Sequence, residues 1–241
     1  MLTDSKIAVI GGGSWATALT KILLNNVNHI TWWVRREETV AYIREFGHNP
    51  NYISSIEFDK EKLAVTSNLR ETIQNADVIF LVIPSAFLHK AFEEAGITAE
   101  DLKDKIIVSA IKGIIPEFTL IPAAYLNEKF GVEHNNMAIV AGPCHAEEVA
   151  HERLSYLTIA TPTRGRAYAI GDLLKCRYIK VNKNDDLVGT EFSAIMKNIY
   201  AIAAGICHGL GYGDNFMSVL ISNAIIETET FIDHVYPKHR D

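Results

Sequence analysis

Up to residue 187, short runs of consecutive apolar, often β-branched residues alternate with stretches whose apolar positions recur every three or four residues. The runs predict strands at 6–10, 30–34, 63–66, 78–83, 106–110, 138–141, 157–160 and 178–181. Several are hydrophobic throughout, as strands covered on both faces of a parallel sheet are. The periodic stretches predict helices at 14–24, 37–46, 69–75, 118–130, 146–151 and 164–174. Regular alternation of strand and helix defines a doubly wound α/β domain over 1–187.

The pattern then changes. From 188 to 209, Phe192, Ile195, Met196, Ile199, Ile202, Ala203 and Ile206 follow a 3–4 spacing, which predicts one long helix with a broad apolar face. GYGDN at 211–215 interrupts it with two glycines and offers Asp214 or Asn215 as a cap. A second helix is predicted over 216–234. Strands stop while helices continue, so 188–241 reads as the first helices of a separate all-helical domain.

The first strand runs into GGGSWATAL. Gly11, Gly13 and Ala16 supply the three positions of a G-x-G-x-x-G/A turn between strand and helix, the mark of a Rossmann-type dinucleotide-binding domain. Gly11 permits the tight turn, Gly13 lets a pyrophosphate approach the backbone, and Ala16 lets the helix pack on the strand. The free N–H groups and dipole of the helix amino terminus favour the anion. At the end of the second strand, where an acidic residue would hold the ribose hydroxyls of NAD(H), the chain has Arg35 and Arg36. Arginine suits a 2′-phosphate, so NADP(H) is expected over NAD(H), with Glu37 on the ribose as the alternative.

Composition narrows the partners. The chain of 241 residues is 48% hydrophobic, 22% charged and carries net charge −6. That balance is ordinary for a globular protein, and without a basic stripe no nucleic-acid partner is expected. No apolar run is long enough for a membrane span, and the amino terminus lacks signal-peptide character, so a cytoplasmic protein is expected. The three cysteines, Cys144, Cys176 and Cys207, are widely separated and form no CxxC pair, which points to reduced thiols. His145, Glu147, Glu148 and His151 match no metal-ligand spacing, so no metal is expected.

Further segments end strands on the carboxyl side, where such a sheet binds ligands. IPSAFL brings Pro84 and Phe87 as walls for a nicotinamide, SAIKG brings Lys112, and AGPCHAEE turns at Gly142 and Pro143. On the long helix, Lys197 and Asn198 interrupt an apolar sequence and leave only a narrow polar arc, with partial desolvation of Lys197 expected.

Taken in order, GGGSWATAL, the PS pair at 84–85, AIKG, AGPCHAEE, MKN and GYGDN resemble bacterial NAD(P)-dependent glycerol-3-phosphate dehydrogenase over essentially the whole chain. The resemblance implies hydride transfer between NAD(P)H and dihydroxyacetone phosphate, giving sn-glycerol 3-phosphate for phospholipid synthesis. It makes Lys197 the catalytic lysine and Lys112 a second active-site lysine touching cofactor and substrate. It places Gly142, Cys144 and Asn198 at the substrate, and Ser14, Trp15 and Ala146 at the cofactor. A lysine with a pKa of about 10.4 is a poor acid–base catalyst at neutral pH, and a second cation with partial desolvation would lower it. The same two cations would attract a phosphate substrate.

The resemblance also implies further helices with a GLGD-type aspartate and an SRN arginine, absent before Asp241. The expectation is a truncated form that binds dinucleotide and turns over substrate poorly or not at all. The alternatives are a dinucleotide-binding module without turnover and a dehydrogenase of the 6-phosphogluconate or β-hydroxyacid type. Pairing of the last helices into a homodimer is left open.

Overall fold

The computed structural model describes residues 2–237, which separate into two compact units, one ending at Leu187 and one beginning at Val188. The first unit holds one sheet of eight strands: β1 Ile7–Ile10, β2 Ile30–Trp33, β3 Leu63–Thr66, β4 Val78–Leu81, β5 Ile106–Ser109, β6 Met137–Ala141, β7 Ser155–Ala160 and β8 Ile179–Asn184. Their order is β3-β2-β1-β4-β5-β6-β7-β8. All residues of β1 and β4 are buried, which is why these strands read as unbroken apolar runs.

The helices of this unit are α1 Ser14–Leu23, α2 Glu37–Phe46, α3 Leu69–Gln74, α4 Ser85–Glu94, α5 Ala99–Leu102, α6 Pro122–Phe130, α7 Ala146–Ala150 and α8 Arg164–Leu174. On α1, Ala16, Leu19 and Leu23 form a fully buried stripe, and the small Ala16 permits close packing. Acidic Glu37 and Glu38 open α2, where the dipole favours them, and Gly47 at φ +74° ends it.

Several elements differ from the sequence reading. β6 and β7 pair antiparallel, so β7 and β8 run against the other strands. Helix α6 begins at Pro122 rather than at 118, because Pro is favourable at the first helical position and residues 115–120 close a bridged turn instead. Helices α4 and α5 were not predicted; Pro84 and a short amphipathic stretch mask the first, and the second is a single turn held by a Thr98–Asp101 capping box.

Two further helices follow, α9 Leu187–Gly209, which belongs to the second unit from Val188 onward, and α10 Asp214–Val235. Gly213, not Asp214 or Asn215, caps α10, without a side-chain cap bond. Phe192 and Phe231 meet edge to face, 5.7 Å apart, while Ile199, Ile202, Ile206, Val219, Ile225 and Ile226 are exposed. No helix among the described residues is long and apolar enough to cross a membrane.

Candidate functional site

The strand order reverses between β1 and its two neighbours, β2 on one side and β4 on the other. A crevice opens outside the carboxyl ends of the strands at such a point. Here it is a cleft of about 540 Å³ whose lining includes Gly12, Gly13, Arg35, Arg36, Pro84 and Phe87. These come from the glycine turn, the end of β2 and the start of α4.

The three glycines play different parts. A Cβ on Gly11, at φ +139°, would lie 2.3 Å from the Val82 carbonyl oxygen. A Cβ on Gly12 would lie 2.9 Å from Val34 Cγ1. Around Gly13 nothing lies within 4 Å. So Gly11 is demanded by packing, whereas Gly13 leaves a bare surface open to the cleft. Ser14 is half-exposed at the first turn of α1. The Trp15 indole N–H is buried with no hydrogen-bond partner among the described residues. An open backbone face at a helix amino terminus fits a dinucleotide pyrophosphate.

At the outer end of the cleft, the Arg35 guanidinium sits 5.9 Å from the centre of the Phe87 ring, and both residues are exposed. Arg36 pairs loosely with Glu38 at 3.7 Å. Glu37, the alternative ribose ligand, accepts a hydrogen bond from the Ser67 hydroxyl. Asn51, Tyr52 and Lys90 also line the cleft. Sequence reasoning missed them, because the loop after α2 that carries Asn51 and Tyr52 has no motif that ties it to the glycine turn, and Lys90 lies on α4, which the sequence pattern does not reveal.

The loops after β5 and β6 share the same sheet edge. Gly113, at φ +126°, packs so closely that a Cβ would lie 2.7 Å from Ser85 Oγ, and this contact holds exposed Lys112 beside the start of α4. The Lys112 charge reaches Cys144. Burial pushes the Cys144 thiol above its ordinary pKa, with Lys112 a smaller opposing influence. Cys144 Sγ donates to the Tyr156 carbonyl at 3.0 Å, and a Cβ on Gly142 would lie 2.5 Å from the same oxygen. The antiparallel return of β7 therefore braces the turn that carries Gly142 and Cys144. Ala146 begins α7 immediately beyond.

Lys197 and Asn198 lie on α9, in the second unit, and both are exposed. This corrects the expectation of a partly desolvated Lys197: the polar arc of α9 faces solvent, and its apolar neighbour Ile199 is exposed too. No group of three His, Cys, Asp or Glu side chains positioned for a metal occurs among the described residues.

A glycine turn at the switch point of a sheet ordered β3-β2-β1-β4 defines the class: an α/β protein with a dinucleotide-binding fold. Residues 6–167 match the family described as NAD-dependent glycerol-3-phosphate dehydrogenase N-terminus, and residues 186–240 match its C-terminus. The chain belongs to the NAD-dependent glycerol-3-phosphate dehydrogenase family. It is 33% identical over 224 residues to the glycerol-3-phosphate dehydrogenase [NAD(P)+] of Limosilactobacillus reuteri, covering 92% of this chain and 66% of that one. The corresponding enzyme of Syntrophotalea carbinolica is 35% identical over 222 residues, again 92% and 66%. The crystal structure of glycerol-3-phosphate dehydrogenase from Coxiella burnetii superposes with a TM-score of 0.85 at 26% identity, covering 98% of this chain and 71% of that one. The chain thus spans 66% of the length of the curated relatives it matches first.

Proposed function

We propose that this chain binds NAD(P)(H) in the cleft at the β1–β4 switch point and serves the interconversion of dihydroxyacetone phosphate and sn-glycerol 3-phosphate. The single observation that carries the reading is the bare Gly13 face, lying in a cleft walled by Arg35, Pro84 and Phe87, in a chain of this family. The bound reduced coenzyme would supply a hydride. The chain's own residues bind and orient it: the amides of 12–14 face the pyrophosphate, and Pro84 and Phe87 wall the rings.

Reduction of the ketone places negative charge on the carbonyl oxygen, which needs a proton. Lys197 is the proposed donor, its ammonium giving the proton to the developing alkoxide. Lys112 is the proposed second cation, beside the Gly142–Cys144 turn and facing cofactor and substrate, with Asn198 a further substrate contact. Both ammonium groups draw a phosphate ester towards a chain of net charge −6. Arg35 and Arg36 favour NADP(H), because Glu37 is already engaged by Ser67. A cytoplasmic role in supplying the glycerol phosphate of phospholipids belongs to the same reading.

A second reading, dinucleotide binding without turnover, is favoured by the exposed Lys197. Titration with NADPH and NADH, followed by addition of dihydroxyacetone phosphate, separates the two. Steady oxidation of NADPH supports the enzyme, binding without oxidation supports the module, and no binding contradicts both. A substrate panel including 6-phosphogluconate and β-hydroxyacids tests the choice of substrate. Sedimentation of the purified chain tests the homodimer that the exposed apolar faces of α9 and α10 suggest.

A further inference from the structure

The glycine turn is held by side chains from outside it. Trp32 donates its indole N–H to the Gly11 carbonyl at 2.6 Å. Asn49 donates from Nδ2 to the Gly12 carbonyl at 3.1 Å. Thr17 donates its hydroxyl to the Gly13 carbonyl at 3.1 Å. Each of three consecutive glycine carbonyls therefore accepts a side-chain hydrogen bond. Because a peptide unit is planar, fixing the carbonyls of Gly12 and Gly13 also fixes the N–H directions of Gly13 and Ser14. Those N–H groups stand at the start of α1, where no intrahelical partner exists for them.

Asn49 ties this arrangement to the rest of the cleft. It is fully buried, at 0% exposure, in the loop that follows α2. Its Nδ2 also donates to Thr17 Oγ1 at 3.0 Å, and its Oδ1 accepts the Asn51 N–H at 3.0 Å. Both donors and the acceptor of the carboxamide are thus used. Capping its own loop needs only the bond to Asn51, an ordinary Asx turn. The other two bonds go to the backbone and hydroxyl that shape the pyrophosphate face. Asn51 and Tyr52, just beyond, line the cleft. One side chain therefore links the glycine turn, the first turn of α1 and the cleft wall.

We propose that Asn49 is a positioning residue for the dinucleotide. Acting through the Gly12 carbonyl and Thr17, it aims the turn's N–H groups at the pyrophosphate and keeps the Asn51–Tyr52 wall in register with them. This rests on the dinucleotide reading given under Proposed function. Without the carboxamide, the Gly12–Gly13 peptide is free to rotate, and the coenzyme loses preorganised donors although Asn49 never touches it. NADPH and NADH share the pyrophosphate, so both weaken together and their affinity ratio stays the same. A change at Arg35 alters that ratio instead.

The test is nicotinamide-fluorescence titration of the 241-residue chain with NADPH and NADH, with a thermal melt of each variant. Asn49→Ala is expected to raise both Kd values by about tenfold or more, as for a buried carbonyl left unpaired, at an unchanged NADPH:NADH ratio. Thr17→Val is expected to weaken both coenzymes, while Thr17→Ser, which keeps the hydroxyl, retains wild-type affinity. A folded Asn49→Ala protein with Kd values within about twofold of wild type would overturn the proposal. If Asn49→Ala does not fold, the Thr17 pair decides: equal affinities for the Val and Ser variants overturn it. A wild-type chain that bound neither coenzyme would overturn the dinucleotide reading and this proposal with it.

Discussion

Replacing Gly11 by alanine perturbs packing, whereas the same change at Gly13 perturbs only what approaches from the cleft. The added methyl at position 11 would lie 2.3 Å and 2.7 Å from the Val82 carbonyl oxygen and carbon, and these are backbone atoms of the crossing between β4 and α4. Residue 11 also holds φ +139°, which costs a non-glycine residue about 1–3 kcal/mol. Displacing the neighbouring backbone adds about 1–3 kcal/mol. The combined loss, about 2–6 kcal/mol, corresponds to a fall in Tm of about 5–20 °C for a chain of this size. At position 13 the new methyl meets no atom within 4 Å, and the backbone is extended at φ −86°, so Tm stays within about 2 °C of wild type. That methyl instead occupies the face reserved for the pyrophosphate, and NADPH affinity falls by about a hundredfold. Circular dichroism melts and fluorescence titrations of both variants give the answer. A Gly11→Ala protein that melts with wild type, or a Gly13→Ala protein that binds NADPH normally, would refute the assignment of these two roles.

At the cleft mouth, Arg35→Asp is expected to weaken NADPH by about tenfold or more and NADH much less, read from paired titrations; an unchanged ratio would remove Arg35 from 2′-phosphate recognition. In any form of the chain that reduces dihydroxyacetone phosphate, Lys197→Ala lowers kcat by about 100-fold or more while the NADPH Kd holds; normal turnover would exclude Lys197 as the proton donor. Burial alone would raise the pKa of Asp101, but hydrogen bonds from Gln74 and Thr98, with Arg70 nearby, hold it at about 2, against 3.8 unperturbed. A lowered folded-state pKa means stability that is present above about pH 4 and lost as pH falls towards 2. Urea unfolding should show wild type exceeding Asp101→Asn by about 2 kcal/mol at pH 7, with the gap closing near pH 2. A gap independent of pH would show that the charge of Asp101 is not its source.

Where a residue's environment follows from its own segment, the sequence told the structure well. β1 and β4 are buried on both faces and read as apolar runs, α1 shows its stripe of Ala16, Leu19 and Leu23, and the role of Gly11 follows from the turn it must make. Features set by distant contacts were hidden. Nothing in SYLTIA says that this strand returns antiparallel to β6, yet that return is what braces Gly142 and Cys144. The exposure of Lys197 depends on how α9 is covered, which helical periodicity does not state. Asn49 is the plainest case. In GHNPNY, Asn49 and Asn51 look alike, and only the fold sends one into the core beneath Gly12 and leaves the other at the cleft.

The central claim is that the crevice beside Gly13 holds a dinucleotide. Its most direct test is a structure of this chain crystallised with NADPH. The account predicts density for the pyrophosphate within hydrogen-bond distance of the backbone amides of 12–14, with the adenosine end beside Arg35. Pyrophosphate bound elsewhere, or a crevice left empty at saturating NADPH, would contradict it.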